Sequence, residues 1–129
     1  MPGDAKSLTV TDLSRDGRPD FVVGVNNDRF LAFENRTDFK KRILTVRLEG
    51  KPGNPTAVGA RVTLKRTDGT QQSQEVYAGG GYLSQSSRVL YLGLGETGEV
   101  DEIIVRWPDG KQSTHRVQPP SLQVTLRQE

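Results

Sequence analysis

The chain has 129 residues, 33% of them hydrophobic, enough for one domain of ordinary size or one domain plus part of a second. Eighteen Lys and Arg stand against sixteen Asp and Glu, seven of each sign through residue 41 and eleven against nine after it, so the concentrated basic face of a nucleic-acid binder is missing. The absence of Cys excludes disulfide frameworks, thiolate nucleophiles and sulfur-ligated zinc, and no apolar run nears the roughly 18 residues of a spanning helix, so no membrane insertion is expected.

Leu8-Thr9-Val10 reads as a short strand. Phe21 to Val25 and Phe30 to Phe33 read as two more, joined through Asn26-Asn27-Asp28, whose side chains favour turns. A few strands alone leave one face with nothing to cover it, so this segment is expected to pack on the following domain or on a second copy of the chain.

Between those strands lies Asp12-Leu-Ser14-Arg-Asp16-Gly17-Arg18-Pro-Asp20. Side-chain oxygens at positions 1, 3, 5 and 9, a Gly at position 6 and the carbonyl of Arg18 at position 7 follow the first nine positions of an EF-hand loop. Such a set of hard oxygens suits Ca²⁺ better than zinc. The twelfth position, a bidentate Glu in an EF-hand, is Val23, so a true EF-hand with its flanking helices is excluded. The alternative is an Asp-Gly turn whose carboxylates cap backbone N–H groups.

Further along, apolar residues alternate with polar ones. Leu44, Val46 and Leu48 form one such set; Ala60, Val62 and Leu64 form a second, joined through Thr67-Asp68-Gly69 to residues 71 to 78. Ile103, Val105 and Trp107 run into Pro108-Asp109-Gly110, making residues 102 to 117 a hairpin, and Leu122, Val124 and Leu126 close the series. No stretch carries a helical stripe. The fold class is therefore all-β, a β-sandwich or barrel-like domain from about residue 42 onward.

Several residues raise the question of chemistry. Gly79-Gly80-Gly81-Tyr82-Leu83-Ser84-Gln85-Ser86-Ser87-Arg88 offers a stacking ring at Tyr82 and hydrogen bonds from Ser84, Gln85 and Arg88, the makeup of a sugar or peptide contact. It reads first, however, as a bulged strand with Tyr82 in the core, since Gly inside a strand marks bulges more often than ligands. Gly93-Leu-Gly95-Glu-Thr-Gly98 spells G-x-G-x-x-G but leads into a strand rather than a helix, so a strand-to-strand crossover is expected, not a dinucleotide site. His115, the one histidine, would have to anchor any Ser-His-Asp set; beside Thr114 and Arg116 it reads as a solvent-facing strand residue. Asn35-Arg36-Thr37 is a glycosylation sequon for a chain that meets that machinery.

Two resemblances follow from these motifs. Asp12 to Asp20 with Phe21-Val22-Val23-Gly24 and Leu31-Ala32-Phe33-Glu34-Asn35 resembles the end of an FG-GAP or VCBS repeat, the blade unit of calcium-binding β-propellers. Val46-Arg47-Leu48-Glu49-Gly50, Ala57-Val58-Gly59-Ala60-Arg61-Val62, Gly79 to Ser86, Leu92-Gly93-Leu94-Gly95 and Val105-Arg106-Trp107-Pro108-Asp109-Gly110 resemble, in order, the ASPIC/UnbV domain. The resemblance implies residues 1–40 as a partial repeat, a propeller-blade hairpin with a calcium-type loop, and residues 41–129 as an ASPIC/UnbV-like β-domain. It further implies an extracellular, periplasmic or cell-surface location and a non-catalytic adhesion role toward a protein or glycan. Expected metal ligands are Asp12, Ser14, Asp16, Arg18 and Asp20, with Ca²⁺ as a structural ion. Alternatives are a carbohydrate-binding module using residues 79–88, or an accessory domain of a surface hydrolase.

Overall fold

In a computed structural model of the chain, residues 3–38, 42–96, 99–117 and 122–129 are described. Among them are ten strands and no helix: β1 (Ala5–Thr11), β2 (Asp20–Val25), β3 (Leu31–Phe33), β4 (Arg42–Glu49), β5 (Arg61–Arg66), β6 (Gln71–Glu75), β7 (Leu90–Gly95), β8 (Val100–Arg106), β9 (Gln112–His115) and β10 (Gln123–Arg127). Three sheets result, ordered β1-β2-β3, β10-β4-β7 and β6-β5-β8-β9, and none closes on itself. The chain divides into two compact units, one of Met1–Thr37 with Ala78–Ser87, the other of Asp38–Tyr77 with Arg88–Glu129.

The larger unit is a β-sandwich, not a barrel. The alternation that marks its strands also supplies its core: Leu44, Val46 and Leu48 from β4, Val62 and Leu64 from β5, Leu90, Leu92 and Leu94 from β7, and Ile103 and Val105 from β8 join one buried cluster with Trp107 and Leu126. Each fully buried Leu or Ile contributes about 1.5–3 kcal/mol relative to exposure, which makes this cluster the main source of the unit's stability. β4 pairs antiparallel with β7 and parallel with β10, Val46 facing Val124. Along one open side the sheets are tied by side chains: Gln72 and Gln74 of β6 donate to the carbonyls of Gly93 and Tyr91 on β7, each at 2.7 Å. The segment Gly93 to Gly95 thus lies in a strand that leads to the other sheet, as the crossover reading required; Gly98 lies outside the described residues.

Two turns and one close approach fix the loops. Asp68 Oδ1 accepts the Thr70 N–H at 2.8 Å between β5 and β6, and Asp109 Oδ1 accepts the Lys111 N–H at 3.1 Å between β8 and β9. Gly110 sits at φ 85°, where L side chains are strained. At Gly50 the constraint is space, because a Cβ there would lie 2.2 Å from the Asn54 carbonyl oxygen. Asn54 in turn clamps Val58, accepting its N–H at 3.0 Å and donating to its carbonyl at 2.9 Å.

The smaller unit contains a single sheet. Its register sets Leu8, Val23 and Leu31 in one cross-strand row and Val10, Phe21 and Phe33 in the next, so one face is wholly apolar. The opposite face carries Thr9, Val22 and Ala32 with Ser7, Gly24, Thr11 and Asp20. Residues 78–87 join this unit by hydrogen bonds to β1: the Ser87 N–H donates to the Val10 carbonyl at 2.8 Å, and Ser86 Oγ accepts the Val10 N–H at 3.2 Å.

Candidate functional site

The loop between β1 and β2 is organised by Asp20, the one charged side chain in the buried class among the described residues, 1% exposed. Its Oδ2 accepts the N–H groups of Leu13 at 2.8 Å and Ser14 at 3.3 Å, and its Oδ1 accepts that of Asn35 at 2.8 Å. The Asn35 N–H, followed by those of Leu13 and Ser14, holds the Asp20 carboxyl below its ordinary range against the opposing effect of burial. Asp12 closes the other side, taking the Asp16 N–H at 3.2 Å and the Gly17 N–H at 2.9 Å.

Asp16 is committed to a cation. Its Oδ1 accepts the Arg18 N–H at 2.9 Å and its Oδ2 takes Arg18 Nε at 2.8 Å, which lowers its carboxyl from the ordinary value. Arg18 also donates through Nη1 to the Thr37 carbonyl at 2.7 Å. All three carboxylates therefore serve backbone N–H groups, with Arg18 folded over Asp16, and Ser14 is exposed. Among the described residues no three acidic or histidine side chains converge to hold a metal in this arrangement.

Residues 79–88 do not form the expected bulged strand. Apart from a single bridge between Gly81 and Ser84 they are turns and loop, and Tyr82 is 73% exposed instead of lying in the core. Two sets of bonds decide this: β1 holds Ser86 and Ser87 through Val10, while Gln85 accepts from the Gly79 N–H and donates to the Ser86 carbonyl at 3.1 Å within the loop. Tyr82, Ser84 and Gln85 thus share the smaller unit, whereas Arg88 belongs to the larger one.

His115 also departs from expectation. It pairs with Ile103, a core residue, and so lies on the inward face of β9, half-buried. Its Nε2 is 2.9 Å from Ser113 Oγ, and Ser113 Oγ accepts the Trp107 Nε1–H at 2.8 Å. Trp can only donate, so Ser113 satisfies the polar tip of a buried indole. The sequence reading passed over Tyr77, which continues the alternation of Ser73 and Glu75 two residues past the end of β6.

Residues 50–129 match the family model described as ASPIC and UnbV. The chain belongs to the ASPIC/UnbV family. The match begins at Gly50, so the likeness of the N-terminal strands to an FG-GAP/VCBS repeat remains a resemblance. A search of curated proteins finds none that matches the chain. Among the described residues no helix is long and apolar enough to cross a membrane.

Proposed function

We propose that this chain is a non-catalytic recognition module of a larger extracellular or envelope protein. The smaller unit would carry a set of exposed apolar contact residues for a protein or glycan. The observation behind this reading is the distribution of exposed large apolar side chains. Among the described residues, seven of the eight, Leu8, Leu13, Phe21, Phe30, Phe33, Tyr82 and Leu83, fall in the smaller unit, and only Tyr77 falls in the larger. Clustered exposed apolar groups mark interaction surfaces, and a second copy of the chain is one occupant that could cover them. Assays of the purified chain on ester and glycoside panels should show no turnover above buffer; a measurable kcat would overturn the reading.

Calcium enters this proposal as a structural ion of the loop from Asp12 to Asp20. Favouring it are oxygen donors alone, within nine residues, on a loop that Asp12 and Asp20 already wind shut. Binding requires Asp16 to exchange the Arg18 guanidinium for the ion. Arg18→Ala keeps the main-chain carbonyl and removes that competitor, so it should raise calcium affinity, while Asp16→Ala should lower it more than Ser14→Ala. The melting temperature should rise with calcium and fall with chelator. Indifference to both would remove the ion from the account.

A second reading, supported by the exposure of Tyr82, is glycan binding through Tyr82 and its neighbours Ser84 and Gln85. A glycan array with wild type and Tyr82→Ala tests it, since binding must vanish in a variant that still folds.

A further inference from the structure

A separate feature lies wholly within the larger unit. On the outward face of its four-stranded sheet, register sets Arg61 opposite Glu75 and Thr63 opposite Ser73. The hydroxyls of Thr63 and Ser73 are 2.8 Å apart, and Arg61 Nε lies 3.7 Å from Glu75 Oε1. A cleft of about 340 Å³ opens here, bounded by Arg61, Ser73, Gln74, Glu75 and Tyr77. Tyr77 is 62% exposed although its hydroxyl is tied to Glu75 Oε2 at 2.7 Å, so an anchored ring is presented to solvent.

We propose that this cleft binds one or two residues of a neutral oligosaccharide, with the Tyr77 ring against a C–H face of the sugar and Arg61, Glu75 and Ser73 exchanging hydrogen bonds with its hydroxyls. The charge pattern selects the ligand class. Glu75 opposes an anion that Arg61 would attract, and Arg61 opposes a cation that Glu75 would attract. A sugar hydroxyl both donates and accepts, so vicinal hydroxyls satisfy the two groups together. The volume is at the small end of the roughly 300–1,000 Å³ of ligand pockets, which suits a short saccharide better than an extended cofactor. An aromatic ring with two side-chain torsions, its hydroxyl already held, loses little entropy on stacking. This inference rests on the reading of the chain as a recognition module, but not on residues 79–88 as the contact.

The test is an amide-resolved NMR titration of the full chain with neutral cello-, xylo- and mannotetraose and with acidic trigalacturonate, repeated on Tyr77→Ala, Tyr77→Phe and Tyr82→Ala. At least one neutral sugar should shift Arg61, Ser73, Glu75 and Tyr77 more than other residues. Tyr77→Ala should weaken binding about tenfold at an unchanged melting temperature, Tyr77→Phe less, and Tyr82→Ala not at all. No shift at these residues with millimolar neutral sugar, or shifts with trigalacturonate alone, would overturn the site. Shifts confined to residues 79–88 would also overturn it while upholding the Tyr82 reading. Turnover of a bound sugar would sink the non-catalytic reading and leave the cleft standing.

Discussion

The two units are built from equally regular strands and reach different ends. In the larger, two sheets share one core, and Leu44, Val46 and Leu48 of β4, Val62 and Leu64 of β5, Leu90, Leu92 and Leu94 of β7, and Ile103 and Val105 of β8 are all buried in it. In the smaller, three strands form one sheet; among its described residues Val23 is the only large apolar side chain in the buried class, and Phe21 in the next row is 45% exposed. What organises the smaller unit is polar, a buried carboxylate collecting three backbone N–H groups. A second sheet, rather than better strands, turns an apolar face into a core.

Substitutions can break or sharpen this contrast. Leu92→Ala in the sandwich core should cost about 3–5 kcal/mol, read by denaturant unfolding through the fluorescence of Trp107, the chain's only tryptophan. Asp20→Asn should cost about 1–3 kcal/mol in the smaller unit, because an amide has one accepting oxygen and leaves part-buried N–H donors without a partner; hydrogen exchange of β2 amides reads it. Phe21→Ala should cost only about 1 kcal/mol, since half its ring surface already meets solvent. Equal costs for Leu92→Ala and Phe21→Ala would erase the distinction between a closed core and an open face.

The smallest expected effect is one of pH. Asp20 has a folded-state pKa below its unfolded value near 4, so its stabilising bonds are fully present above that value and are lost as pH falls through the folded one. Protection factors of the β2 amides, their exchange corrected for the intrinsic pH dependence, should therefore fall below about pH 4 in wild type, with no such acid step in Asp20→Asn. Wild-type protection factors that stay constant to the acid limit would contradict the assignment.

Much of the fold was legible because alternation reports which face is buried. Leu44, Val46 and Leu48, like Ile103, Val105 and Trp107, occupy the core their spacing implied. Alternation does not name partners, and the parallel pairing of β10 with β4 had no signal in either strand. His115 was read from its sequence neighbours Thr114 and Arg116, whereas its environment is set across the sheet by Ile103. Tyr82 lies in a stretch with no alternation at all, where three glycines leave the path to be decided by bonds to Val10, 76 and 77 residues distant in sequence from Ser86 and Ser87. The acidic loop was legible as a constellation of oxygens, but Arg18, counted for its carbonyl, also brings a guanidinium that competes for Asp16.

Amide hydrogen exchange with and without millimolar calcium tests the division of labour most directly. The account predicts slow exchange in β4, β5, β7 and β8 that calcium leaves unchanged, and faster exchange across residues 12 to 25 that calcium slows. Identical rates in both conditions, or slowing spread evenly over both units, would contradict it.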